Sequence, residues 1–286
     1  MDYFVKRGAA SSPYIFEAEN NHLKRGLRGH LAFAFHYWPF FAYWVRRSII
    51  TRYSATSVGL LWAIFQPLLS SLVYLFVFSL VMRVSTGTVP YGLFIVTSMV
   101  LWTYLNRIIF SGASSVITNL DIITRVRFPR EFLPLAVVAE SLVDLFFGMI
   151  IVALIFLITG HPVTPYALLA IWPFLALTAF ALGMGFIFAS LTSSVRDLLQ
   201  VLPILLQLSL YLTPVIYPIT AVPETVQSFF IINPLASIFS AWQETLLYGQ
   251  FTQAGPLFIS TIVSLIVLVL GYLFFKRSEW LFADRL

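Results

Sequence analysis

Few groups in this 286-residue chain could do chemistry. No glycine is followed by a lysine, so the loop that wraps and neutralises nucleotide phosphates is missing. The histidines, His22, His30, His36 and His161, match no metal-ligand spacing, and no metal site is expected. The absence of cysteine removes thiolate ligands, thiol nucleophiles and disulfides. No Ser-His-Asp or paired-carboxylate arrangement can be placed at a membrane surface, so no catalytic centre is expected. What remains is Glu140 and Asp144, four residues apart on one helical face inside an apolar stretch. A carboxylate at such depth relays protons or pairs with a base. Glu140 falls about 12 Å along a helix starting at Phe132, and Arg107 about 24 Å along one starting at Tyr91. Both positions are near one membrane edge, so pairing with Arg107 or with a basic surface helix is the expected role, and a proton relay the alternative.

Two polar stripes come next. Gln66, Ser70 and Tyr74 fall within about 80° of arc, with Trp62 and Phe78 extending the line. Gln200, Pro203, Gln207, Tyr211 and Pro214 fall within a similar arc. Polar groups in hydrocarbon are costly unless paired or wetted. The stripes therefore either line a passage, with amides as hydrogen-bonding groups and aromatic faces for sugar rings, or pair across packed helices.

The elements that must carry these residues follow from composition. Hydrophobic residues make up 59% and charged residues 10%, too few for a water-facing surface. The net charge of +5 would suggest nucleic acid in a soluble protein. In a membrane protein its distribution matters more, and no nucleic-acid partner is expected. Crossing a bilayer takes about 20 mostly apolar residues. That predicts an all-α polytopic fold with six spans at 58–82, 91–117, 132–158, 167–192, 198–216 and 257–275. Residues 1–29 read as a cytosolic extension. Residues 30–57, aromatic and broken by Pro39, read as an amphipathic interface helix carrying Arg46, Arg47, Arg52 and Tyr53. Residues 276–286 form a cytosolic tail. Of 17 Lys and Arg residues, 16 then lie on one side and only Arg83 on the other. The positive-inside rule puts both termini in the cytoplasm. A seventh span within 218–248 would break that asymmetry, and Pro234 divides the stretch, so it reads as two short re-entrant outer helices. The Gly183-Met184-Gly185 pair reads as a close helix contact.

The segment 119–131 is charged, amphipathic and cytoplasmic. Asn119 is placed to cap a short helix with Arg125 and Arg127 at its far end. A free helix of that length is marginal in water, so Ile122, Ile123 and Val126 need a cover. Either a cytoplasmic partner or anionic lipid provides it.

From Trp44 onward the chain resembles the type 2 ABC permeases that export polysaccharides, the membrane subunits of O-antigen (lipopolysaccharide), capsule and teichoic-acid exporters. The motifs that carry the likeness are Arg52-Tyr53, Thr56, Val58-Gly59, Trp62 and Gln66-Pro67-Leu68; Leu101-Trp102-Thr103-Tyr104; Asn119 through Glu131 with Pro134; Arg196-Asp197 and Leu212 through Pro218; and Ile232-Asn233-Pro234-Leu235. The family often has Arg-Asp where this chain has Arg47-Ser48. The resemblance implies a homodimer in the bacterial inner membrane, docked on two copies of a cytosolic ATPase. ATP and magnesium belong to that partner, and this chain binds no cofactor. Asp121, Arg125, Val126, Arg127, Phe128, Pro129, Arg130 and Glu131 are then the ATPase-coupling residues. Trp62, Gln66, Ser70, Tyr74, Phe78, Gln200, Gln207 and Tyr211 are the candidate channel lining for a lipid-linked polysaccharide. The same machinery exporting a drug or another lipid, and a proton-coupled transporter using Glu140 or Asp144, are the competing readings. A membrane-embedded glycosyltransferase ranks below both.

Overall fold

The computed structural model describes residues 27–54, 61–82, 84–126, 128–223, 225, 227, 230 and 233–279. Residues 1–26 of the N-terminal extension, the tail from 280, Arg127, and Thr56, Val58, Gly59 and Ile232 of the motifs lie outside the described residues, as does the side chain of Tyr53. The described elements are all helical: α1 (Leu27–Ser54), α2 (Leu61–Tyr74), α3 (Tyr91–Ser114), α4 (Leu120–Arg125), α5 (Phe132–Thr159), α6 (Ile171–Ser194), α7 (Leu198–Tyr211), α8 (Pro234–Gln243) and α9 (Ala254–Ser278). By contact the chain divides into two units at Trp44/Val45. In the first, the ring of Phe40 stacks on Trp44 at 6.2 Å and Trp38 meets Phe41 at 5.6 Å.

The second unit is a helical bundle. Among the described residues, four helical stretches are long and apolar enough to cross a membrane: α3, α5, α9, and α6 with the 3-10 turn before it. The burial of each tells its place. In α3, 78% of the most apolar stretch is covered by protein, against 22% in α5 and in α9. Helix α3 is therefore the central post, and α5 and α9 turn apolar faces outward, as lipid-facing helices do. Helix α2 gives way to a π-helical run at Leu75–Val81, so the first predicted span is not one regular helix. Helix α7 has 14 residues, about 21 Å, and ends at Tyr211 rather than 216. That is shorter than a hydrocarbon core of about 30 Å.

The centre of the bundle is built on missing side chains. Gly185 of α6 faces α3, where a β-carbon would lie 3.3 Å from the Ile108 carbonyl oxygen. Gly183, half a turn away, faces α9, where a β-carbon would lie 2.7 Å from the Leu268 backbone. Gly271 of α9 meets the Gly183 backbone in return. Without β-carbons the backbones approach closely, which is how helices pack where lipid is as apolar as the side chains. Thr192 adds an interhelical bond, its hydroxyl donating to the Ala113 carbonyl at 2.6 Å.

Helix α8 lies within the stretch read as re-entrant, and Leu235 to Gln243 are all buried. The local cause of its start is the Asn-Pro pair. Asn233 Oδ1 accepts from the Leu235 N–H at 3.0 Å, and Pro234 occupies the first turn, where its missing N–H costs nothing. The Asn233 amide donates to the Leu212 carbonyl at 3.0 Å, pinning the turn after α7 to the start of α8. Two buried polar side chains at the end of α8 are paired: Gln243 donates to Ser98 Oγ at 3.0 Å and to the Pro214 carbonyl at 2.7 Å, and Trp242 to the Thr97 carbonyl at 3.3 Å. The Glu244 carboxylate accepts from the N–H of Thr252 at 2.7 Å and of Gln253 at 3.2 Å, just before α9 begins. Burial pushes the Tyr248 phenol up in pKa, and it stays a donor to the Thr86 carbonyl at 2.9 Å.

The glycine contacts make a direct prediction. Gly183→Leu or Gly271→Leu forces the α6 and α9 backbones apart and should lower stability by about 1–3 kcal/mol or more. Gly255→Ala, with nothing within 4 Å, should be neutral. Thermal unfolding in detergent checks it. Equal melting of all three variants would contradict the close contact.

Candidate functional site

Helix α2 presents Trp62, Gln66, Ser70 and Tyr74 at a strict four-residue spacing, so they form one face. Opposite stand Met99, Trp102, Thr103, Asn106 and Phe110 of α3, with Gln207 and Leu210 of α7 at the side. Between them lies a cleft of about 350 Å³. Its polar groups are mainly neutral amides and hydroxyls, interleaved with aromatic rings. Tyr74 lies beside both Gln207 and Tyr211, and the Gln207 amide donates to the Tyr211 hydroxyl at 3.5 Å. Tyr211 is exposed at the rim and is not part of the cleft wall. Phe78 continues the α2 line, its ring 6.4 Å from that of Tyr74, but packs on the core outside the cleft. Gln200 is exposed and also outside.

Arg52, Arg107 and Asp144 contribute the charged part of the lining. Arg107 pairs with Asp144, and its second nitrogen is 3.7 Å from Glu140. Arg52, near the end of α1, lies 3.5 Å from the same Asp144 carboxylate. Ser48, a turn earlier on α1, places its hydroxyl against Glu140. The side chains of Arg107, Glu140 and Asp144 are only 10–17% exposed, whereas that of Arg52 is 40% exposed. Two cations and two carboxylates thus balance at one point where α1, α3 and α5 meet. Arg46 and Arg47, by contrast, are exposed.

The stripe on α3 was missed in the sequence, although its signal is the one that marked α2. Trp102, Asn106 and Phe110 repeat every four residues, and Thr103 and Arg107 do the same beside them. The high apolar content around them hid a polar line on the most buried helix.

The segment 119–131 forms the six-residue helix α4. Asn119 stands at its start but does not cap it: its amide donates backward to the Ser115 carbonyl at 2.8 Å. The expected side-chain cap is therefore replaced by a tether to the end of α3. Asp121 and Arg125 are exposed, as is Val126, while Ile123 is buried by the protein itself. Phe128 is half-buried and Pro129 buried. Arg130 and Glu131 face inward. Glu131 accepts from Lys276 Nζ at 2.6 Å, and Arg130 lies 3.9 Å from the Glu279 carboxylate.

An apolar bundle with a balanced charge cluster, a polar cleft and no phosphate loop leaves many membrane proteins open. The ABC-2 type transporter family matches residues 40–247, well over half the chain. This protein belongs to that family. It is 31% identical over 245 residues to the O-antigen export system permease protein RfbA of Klebsiella pneumoniae, covering 84% of this chain and 92% of the relative. It is 28% identical over 244 residues to the protein of the same name from Myxococcus xanthus, covering 85% and 93%. The polysialic acid transport protein KpsM of Escherichia coli is 21% identical over 240 residues, covering 82% and 91%. As an ABC-2 family member the chain is a multi-pass membrane subunit and not itself an ATPase.

The charge cluster makes the second prediction. Arg107→Met leaves Glu140 and Asp144 in the bundle with only the more exposed Arg52 to answer them and should cost about 3–5 kcal/mol. Adding Asp144→Asn removes the excess negative charge and should recover part of the loss. Thermal unfolding of both variants in detergent checks it. A double variant no more stable than the single would contradict the pairing.

Proposed function

We propose that this chain is the membrane-spanning permease of an ATP-driven polysaccharide exporter. The observation that carries the reading is the cleft between α2, α3 and α7. Aromatic faces and neutral amides alternate along it, the chemistry that holds sugar rings by stacking and hydroxyls by hydrogen bonds. The relatives point the same way, two named for O-antigen export and one for polysialic acid transport.

In this reading two copies pair in the bacterial inner membrane, each with six spans and both termini in the cytoplasm. The short helices α2 and α7 and the cleft between them face the second copy. Helix α1 rests on the inner membrane surface, and the stretch containing α8 is re-entrant from the outer side. A separate cytosolic ATPase, holding ATP and magnesium, grips the exposed Asp121, Arg125 and Val126 together with Arg127 and the end of α1. Differential affinity of ATP for two states of the assembly then drives the cleft open and closed. The transported molecule is a polysaccharide on a lipid carrier. Glu140 and Asp144 serve as structural partners of Arg107 and Arg52.

Reconstitution into vesicles with the partner ATPase tests this. ATP should drive lipid-linked glycan across the bilayer, and a proton gradient without ATP should not. Tyr74→Ala or Gln207→Ala should slow export about five- to tenfold, the worth of one stacking or hydrogen-bond contact. Transport by the chain alone under a proton gradient would contradict the proposal. So would a drug or simple lipid exported in place of the glycan.

A further inference from the structure

Arg130 and Glu131 stand between α4 and α5, in the segment given above to a partner ATPase, yet their side chains turn onto the far end of the chain. Lys276 donates to Glu131 at 2.6 Å and to Glu279 at 3.1 Å. Arg130 lies 3.9 Å from the Glu279 carboxylate and also donates to the Glu279 backbone carbonyl. The four side chains are 18–32% exposed, so each is largely withdrawn from water. Two cations and two carboxylates form a neutral run of ion pairs, Arg130 to Glu279 to Lys276 to Glu131, closed into a ring by the backbone between Arg130 and Glu131, across residues 145 apart in sequence. Removing one member leaves a half-desolvated charge behind, so the two segments are held to move together.

What the ring holds gives it a use. Helix α9 is one unbroken helix from Ala254 to Ser278. Its inner end carries Lys276, its middle meets α6 backbone to backbone at Gly271, and Glu244 of the turn after α8 accepts N–H bonds from Thr252 and Gln253 at its outer end. On the other side of α4, Asn119 is tethered to the end of α3. The segment 119–131 thus runs on covalently from α3, where Asn119 tethers it, and into α5 at Glu131, and it has an added ionic attachment to α9.

We infer that the ring of Arg130, Glu131, Lys276 and Glu279 passes movement of the segment 119–131 to α9, and through the Glu244 contact to α8 on the outer side. Glu131 and Lys276 are positioning residues: they touch neither nucleotide nor cargo, and set how much cargo moves per nucleotide spent. This rests on the function proposed above, in which an ATPase acts on that segment.

The test uses the full chain with its ATPase in vesicles, reading co-purified ATPase, hydrolysis rate and glycan exported per ATP. Lys276→Met and Glu131→Gln should keep the ATPase bound and hydrolysing while glycan per ATP falls at least fivefold. Lys276→Arg, which keeps a cation facing both Glu131 and Glu279, should hold the ratio within twofold of the unaltered chain. An unchanged ratio in both single variants overturns the inference. If the single variants do not fold, the double variant Glu131→Gln with Lys276→Met decides, because it leaves Arg130 paired with Glu279 and strands no charge: a ratio at least fivefold lower supports the link, and an unchanged ratio overturns it. The unaltered chain serves as the separate check on the function itself. If it neither retains an ATPase nor exports with ATP, that reading fails whatever the variants do.

Discussion

Charge inside an apolar bundle has to be answered by charge, and in this protein the answer is Arg107. Its guanidinium lies between Glu140 and Asp144, with Arg52 sharing Asp144 from the end of α1. None of the buried three is tolerable alone in hydrocarbon. Their balance brings the end of α1, the second half of α3 and the first half of α5 to one point. That point is also a wall of the cleft, so the same side chains that make the bundle permissible shape its polar interior.

The rest of the bundle follows from how tightly its helices approach. Helix α6 uses Gly185 toward α3 and Gly183 toward α9, so three helices meet with no side chain between two pairs of backbones. Close packing there leaves the looser, polar side of α3 to α2 and α7. Each has 14 residues in regular α-helix, and α7, at about 21 Å, is shorter than a hydrocarbon core. A helix that short is best placed where protein or water, not lipid, meets its ends. In the proposed homodimer that position is the shared interface, and the cleft faces inward.

Much of this was legible in the chain itself. The long apolar helices were visible from hydropathy, and the partners of Glu140 and Asp144 from their depth and the position of Arg107. The polar faces of α2 and α7 were visible from spacing. What was not legible has physical causes. The line of Trp102, Asn106 and Phe110 sits on a helix buried on nearly all sides, where polar and apolar faces no longer alternate with solvent. Asn119 looked like a cap because its type and place were right, but the Ser115 carbonyl competed for its amide. The pairing of Arg130 and Glu131 was not legible, because their partners, Glu279 and Lys276, lie at the opposite end of the sequence. No local pattern reports a contact at that separation. The burial of α8 was hidden in the same way: its Asn-Pro start is local, but its pairing with Ser98 and Thr97 is not.

The central claim is that the cleft is the path of the cargo. Site-specific photo-crosslinking during ATP turnover tests it most directly, with a photoreactive residue placed at Gln66, at Asn106, or at the lipid-facing Leu270 of α9. The account predicts glycan attached at Gln66 and Asn106 in an ATP-dependent manner and none at Leu270. Glycan captured at Leu270 as readily as at Gln66, or at none of the three while export proceeds, would contradict it.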